Sequence, residues 1–305
     1  MLIEKDPGLA ELVPLLKARK LLVFAGSGVS IDPPSRLPDW NGLLKGFVEF
    51  ARDEVAPLLP PADRIHDLLK NTDVEIARSP IRLATALRTR ILDPSLSRRY
   101  DLNDKFHQWF AALFSGAQPN ANHRAIVKAS YPFVLTSNYD NLLERAATLE
   151  GFVELGARGF TYTQPDRVAS AVYEESACIV HVHGRASDAR IEQVVFTAED
   201  YVQIRAANKA FSVVIQSLLL RFSALFVGYG ASDPHLEDLL EELSHLFRGA
   251  TGGARPRTFL VLLRGKASPV FVHYKNQFDT DVICLDDYSE TPGFLDTLAK
   301  ESPRV

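Results

Sequence analysis

Short, largely apolar runs recur along the chain, each closed by a glycine or a polar turn: KLLVFAG (20–26), PFVLTSN (132–138), CIVHVHG (178–184), ALFVGYG (224–230), RTFLVLL (257–263) and DVICLD (281–286). A strand that is apolar on both faces must be covered on both, the condition met by a parallel sheet between two helical layers. Amphipathic stretches fall between these runs: NGLLKGFVEFARDE after the first, DNLLERAATL after the second and HLEDLLEELSHLF after the fourth. The alternation predicts an α/β fold, a doubly wound parallel (Rossmann-like) sheet of about six strands.

One interval breaks the rhythm. From about Trp40 to Ser130 no strand pattern occurs, whereas RLATALRTRIL, NDKFHQWFAALF and NANHRAIVKAS space their apolar residues as helices do. The interval is too long for one crossover. It predicts a helical module at 41–130, inserted within a single domain spanning 1–305. The stretch GARGFTYTQPDRVASAVYEES reads as a second, smaller excursion. The longest apolar tract, FSVVIQSLLLRFSALFVGYG, carries Gln216 and Arg221. Charge at mid-membrane depth is expensive, so the tract predicts a helix, a turn and a buried strand, and no membrane association is expected.

Composition narrows the function classes. With 305 residues, 46% hydrophobic and 24% charged, the chain is long enough to bury a substantial core. A formal charge of -4 lacks the basic footprint that contact with many phosphates requires, so no direct nucleic-acid binding is expected. Cys178 and Cys284 are the only cysteines, far apart, which excludes a disulfide framework and a four-cysteine zinc site. The start MLIEKDPG has neither the basic residues nor the apolar run of an export signal, so a cytoplasmic location is expected.

Candidate chemistry collects where strands end. In FAGSGVS, Gly26 and Gly28 would let backbone approach a pyrophosphate, although a plain tight turn explains them as well. The dinucleotide fingerprint asks for a third glycine where the chain has Ile31, and for an acid closing the next strand, whereas Glu49 lies in a helical pattern. An ordinary dehydrogenase is therefore disfavoured. In RLPDWNG, Asp39 or Asn41 reads as a helix cap.

VLTSNYDNLLERA crowds Ser137, Asn138 and Asp140 into one turn. Ser137 and Asp140 have the spacing of a capping box, which leaves Asn138 over, at the sheet's carboxyl edge where ligands bind. Its amide both donates and accepts, and so suits a ribose hydroxyl or a water. In HVHGRASD, His181 and His183 share a face if the run is a strand, but no third ligand stands at a metal-site spacing, and none is expected. His183 before Gly184 is better placed as a general base or a ribose contact. FVGYGASDPHLEDLL offers Gly228 and Gly230 to the same crevice, with Asp233 as cap and Pro234 at the first helical position.

Taken in order, GSGVS with LPDW, TSNYD, HG and GYGASD resemble the motifs of the sirtuin family, over roughly residues 20 to 285. The forms TSNYD, HG and GYGASDP are most similar to the sirtuin-like domains of bacterial antiphage defence systems. That resemblance implies an NAD-binding crevice between the sheet and a smaller module, with Gly26, Ser27, Gly28 and Ser30 along the pyrophosphate and Asp39 near the nicotinamide end. It further implies Asn138 and Asp140 at the ribose or the water, His183 as the catalytic histidine, and Gly228 and Tyr229 on the adenosine side.

Sirtuin deacylases carry two cysteine pairs around a zinc, which this chain lacks, so NAD hydrolysis to nicotinamide and ADP-ribose follows more naturally than deacylation. The resemblance also implies an NAD-depleting defence effector, homo-oligomerisation, and a separate regulator such as a HerA-type ATPase or a short Argonaute-type protein. The alternatives are a non-catalytic NAD or ADP-ribose sensor, a zinc-free deacylase, or an ADP-ribosyltransferase.

Overall fold

All six apolar runs become strands of one sheet. The computed structural model describes residues 7–187, 194–197, 199–202, 208–229, 240–242, 244–245, 255–264 and 280–305. Its strands are β1 (Leu21–Ala25), β2 (Phe133–Thr136), β3 (Gly159–Thr161), β4 (Cys178–His181), β5 (Ser223–Val227), β6 (Thr258–Leu263) and β7 (Asp281–Leu285). They lie in the order β3-β4-β2-β1-β5-β6-β7 and pair in parallel. The strand beyond the expected six is β3, three residues at the sheet edge that lean on β4 alone.

Side-chain alternation along the strands builds one core on each face of the sheet. Leu21, Val23 and Ala25 of β1 enter one, with residues of helices Pro7–Lys17, Ala121–Lys128, Leu142–Leu149 and Thr291–Glu301. Leu22 and Phe24 enter the other, with residues of helices Pro165–Tyr173 and Lys209–Arg221. The apolar tract before β5 thus resolves into helix Lys209–Arg221, a turn and a strand. Among the described residues no helix is long and apolar enough to cross a membrane.

Helices also fill the interval between β1 and β2, and most of them share a third core. Helix Trp40–Phe50 buries Leu43, Leu44, Phe47 and Val48, helix Pro80–Ile91 buries Leu83, Ala84, Leu87 and Ile91, and helix Leu102–Phe114 buries Leu102, Phe106 and Phe110. These four-residue repeats are what a one-sided helix requires. Phe47 and Phe106 meet at 4.8 Å between ring centres, and Phe106 stacks on Trp109 at 5.3 Å. Helix Ala121–Lys128 instead gives Ala125, Ile126 and Val127 to the first face of the sheet.

The third core includes four residues from beyond the strand ends: Tyr139, Ala186, Val194 and Phe196. The helical cluster therefore sits against the carboxyl edge of the sheet. The expected helix HLEDLLEELSHLF lies largely outside the described residues, although 240–242 and 244–245 are helical. Gly230, Asp233 and Pro234 also lie outside them.

Candidate functional site

Register brings the strand-end motifs to one level. Ala25 pairs with Thr136 and with Val227, and Thr136 pairs with His181, so four adjacent strands, β4, β2, β1 and β5, finish together. Asn138 and His183 each lie two residues past their paired strand ends. From β2 the chain enters helix Leu142–Leu149 on the first face, whereas the helix leading from β4 to β5, Lys209–Arg221, covers the second. Between β2 and β4 the connections therefore diverge, which opens a crevice at a topological switch point. Asn138 and His183 flank it.

The glycines interlock with one another. Gly26 N–H donates to Val227 O at 2.8 Å and Gly28 N–H to Gly228 O at 2.9 Å. A Cβ on Gly26 would stand 2.6 Å from Gly228 O, and one on Gly28 would stand 2.8 Å from Gly228 Cα. Gly228 has φ +73°, and a Cβ there would meet Val29 N at 2.7 Å. Contact between the β1 and β5 loops thus accounts for these glycines before any ligand does. Ser27 and Gly28 remain half-buried. The Tyr229 ring is in the second core, edge-on to Phe24 and Phe226 at 5.3 and 5.7 Å, and its hydroxyl donates to Ser137 Oγ at 3.0 Å.

Beyond the glycine loop, Ser30 is a buried hub. Its hydroxyl donates to Asp140 Oδ2 at 2.9 Å and accepts from Asn138 Nδ2 at 3.1 Å. His123 Nε2 lies 3.1 Å from the same oxygen. Burial pulls the His123 pKa down against the opposing charges of Asp140 and Glu144, which favours the neutral ring. His123 is held by the start of helix Ala121–Lys128, where Asn120 Oδ1 accepts from the amides of Asn122 and His123, and the Asn120 amide donates to His123 Nδ1 at 3.2 Å. Neither His123 nor Asn120 stands out in the sequence. The Asn-x-x-His spacing of a reciprocal cap was the available signal.

The expected capping box of Ser137 with Asp140 does not form. Asp140 instead closes the turn just before helix Leu142–Leu149, Oδ1 accepting from Leu142 N–H at 3.0 Å, and the N-cap position is Asn141. Ser137 is engaged by Tyr229 instead, and the turn is tied by Thr136, whose Oγ1 donates to Ala25 O at 2.8 Å and accepts from Asn138 N–H at 3.0 Å.

Asn138 is fixed at nearly every polar atom. Its N–H bonds Thr136, its Nδ2 bonds Ser30, and its carbonyl oxygen lies 3.0 Å from His181 Nδ1. The side-chain Oδ1 is buried and has no partner among the described residues. A buried carbonyl oxygen left unsatisfied costs about 1–3 kcal/mol, so a group held rigidly in this way points to something that binds it.

His181 and His183 have separate duties. His181 is fully buried, with Nε2 2.8 Å from Glu144 Oε1 and Nδ1 turned to Asn138 O, so both ring nitrogens are engaged by protein. Burial pulls its pKa down, but the charge and hydrogen bond of Glu144 outweigh this and hold it above its ordinary value. For Glu144 burial acts upward, yet His181 and Arg185, which donates to Oε1 at 3.0 Å, hold it below the usual carboxylate range. The His183 ring meets the edge of Tyr201 at 5.3 Å, and its carbonyl accepts from Val195 N–H at 3.0 Å.

The structure therefore joins Ser30, Asn138 and Asp140 directly, interlocks Gly26, Gly28 and Gly228, and places His183 one strand away. Asp39 is exposed and caps helix Trp40–Phe50, accepting from Gly42 N–H at 2.7 Å. Among the described residues no group of three or more His, Cys, Asp or Glu is arranged to hold a metal.

Residues 132–283 match the family model described as SIR2-like domain. The chain is similar to the NAD(+) hydrolase ThsA of Cytobacillus dafuensis, 27% identical over 251 residues that cover 80% of this chain and 42% of the relative. It is likewise similar to the NAD(+) hydrolase ThsA of Acinetobacter baumannii, 26% identical over 232 residues (76% and 41%), and to that of Enterococcus faecium, 24% identical over 203 residues (59% and 40%). The chain thus spans about two fifths of the length of the curated relatives it matches.

Proposed function

Because residues 132–283 match the SIR2-like domain model, we propose that the chain hydrolyses NAD, with Asn138 and His183 as its catalytic residues. The reading rests above all on Asn138, whose buried Oδ1 is aimed without a partner while the rest of the residue is pinned. The names of the similar ThsA proteins support the substrate.

Hydrolysis breaks the bond from the nicotinamide nitrogen to the ribose C1′, forms one from a water oxygen to that carbon, and releases nicotinamide, ADP-ribose and a proton. The leaving group departs neutral from an oxocarbenium-like transition state, so no strong acid is required. What the site must supply is orientation and charge. Asn138 Oδ1 accepts from the water or a ribose hydroxyl, and His183 takes the proton. The Asp140 carboxylate, held by Ser30, places negative charge near the developing cation. Gly26, Ser27, Gly28, Gly228 and Tyr229 contact the remainder of the dinucleotide, with Asp39 at the nicotinamide end.

Cys178 lies in β4 and Cys284 in β7, so neither can join a four-cysteine metal module, which favours hydrolysis over deacylation. Unrestrained NAD loss would kill a host cell. The proposal therefore includes control by self-assembly or by a separate protein, in the setting of antiphage defence.

The test is nicotinamide release from NAD by the purified protein, alone and with the product of a neighbouring gene. Asn138→Ala is expected to fold and to abolish release. Turnover retained in that variant overturns the assignment, and NAD binding without turnover in either arm favours a sensor.

A further inference from the structure

Helix Pro80–Ile91 presents Leu83, Ala84, Leu87 and Ile91 to an apolar core, and beside them it buries an arginine, Arg88. An apolar residue of similar volume would fill that place without the cost of desolvating a guanidinium. What arginine adds is direction, since its planar fork fixes a partner's orientation. Arg88 pairs with Asp200 and also donates to Val194 O at 3.3 Å, with only 6% and 15% of the Arg88 and Asp200 side chains exposed.

The Asp200 end is a knot. The same Oδ2 that meets Arg88 also accepts from Phe196 N–H at 2.9 Å, Thr197 N–H at 2.8 Å and the Thr197 hydroxyl at 2.9 Å. Segment 194–197 is thereby set, and it reaches both sides of the crevice. Val195 N–H donates to His183 O at 3.0 Å, while Val195 O accepts from the hydroxyl of Tyr139, the residue after Asn138, at 2.6 Å. One peptide segment therefore stitches the two strand ends that carry Asn138 and His183. The residue after Asp200, Tyr201, sets its ring edge-on to the His183 ring.

We propose that Arg88 and Asp200 are positioning residues that set the His183 ring from the helical cluster, through Val195 and Tyr201. The inference deepens the NAD-hydrolysis reading and rests on it for the role of His183; the placement of the ring can be tested without it.

The experiment uses full-length protein labelled with 15N in its histidine rings, the His183 signal being identified by its loss in His183→Gln. Asp200→Asn and Tyr201→Leu are each expected to shift the His183 signal and to lower kcat for nicotinamide release by about tenfold to a hundredfold, as small misplacements of a reacting group do, with KM for NAD unchanged. Arg90→Ala removes an ion pair with Asp63 (2.8 Å) from the same helix and leaves the Arg88–Asp200 pair in place, and is expected to leave the signal and kcat unchanged. Arg88→Lys keeps a positive charge facing Asp200 but loses the planar fork, and decides the matter if Asp200→Asn does not fold. A His183 signal unmoved in folded Asp200→Asn or Arg88→Lys overturns the proposal, as does a kcat in that variant no lower than in Arg90→Ala when the wild type is active. Absence of nicotinamide release by the wild type counts against the hydrolase reading alone, since the ring signal still decides the positioning.

Discussion

Three alanine substitutions separate what the strand-end glycines do. Gly116, in the turn after helix Leu102–Phe114 and away from any strand end, serves as the reference: it has φ +77° with nothing within 4 Å of a built Cβ, so Gly116→Ala carries backbone strain alone, about 1–2 kcal/mol. Gly28 carries no such strain, but its Cβ would press on the backbone of Gly228 at 2.8, 2.9 and 3.1 Å, and backbone cannot turn away as a side chain can. Overpacking of that kind costs about 1–3 kcal/mol. Gly228→Ala combines both burdens, with φ +73° and a Cβ 2.7 Å from Val29 N, and should lose about 2–5 kcal/mol. Against a total stability of about 5–15 kcal/mol that is a large fraction. Urea unfolding, with a common slope across the variants, reads the losses directly. The order expected is Gly228→Ala worst, with Gly28→Ala clearly destabilised. If Gly28→Ala unfolds at the wild-type urea concentration and instead loses NAD affinity, the glycine is there for the ligand, and the loop-to-loop account is refuted.

The Glu144–His181 pair gives a pH signature. His181 is held above its ordinary value of 6.5 and Glu144 below its ordinary 4.5, so the stabilisation is complete between those values, fades as pH rises through the raised His181 pKa, and fades as pH falls through the lowered Glu144 pKa. Glu144→Gln should flatten both limbs of a plot of urea midpoint against pH, and an unchanged profile would show that the pair contributes nothing. Tyr139→Phe removes the donor to Val195 O and should cost about 1–3 kcal/mol, because a buried carbonyl loses its bond. It should also slow nicotinamide release, and wild-type stability in that variant would refute the contribution assigned to this bond.

The strands were legible because apolar runs covered on both faces have few other uses. What escaped was short or distant. β3 is the three residues Gly159–Thr161, half-exposed at an edge, too brief to show a period. Asn138 could be singled out because local capping chemistry left it unexplained, although the cap itself was misassigned: Thr136, the last residue of β2, ties the turn that Ser137 was expected to tie. His123 reads as one polar position of a helix, and only the packing of that helix against the β1 loop buries it beside Ser30. Glu144 and His181 are 37 residues apart, and nothing local announces that they meet. Asp39 shows the opposite case, since its plain reading as a cap matches what the helix start displays.

Asn138 and Tyr139 are consecutive, yet they belong to different worlds: the first is bonded to the sheet's own loops, while the second packs its ring on Phe110 at 5.1 Å inside the helical cluster. A single peptide unit is the whole lever arm between them. The helical cluster and the sheet's loops therefore share one peptide bond, and displacing either against the other must work against the bonds that hold Asn138 to Thr136 and Ser30.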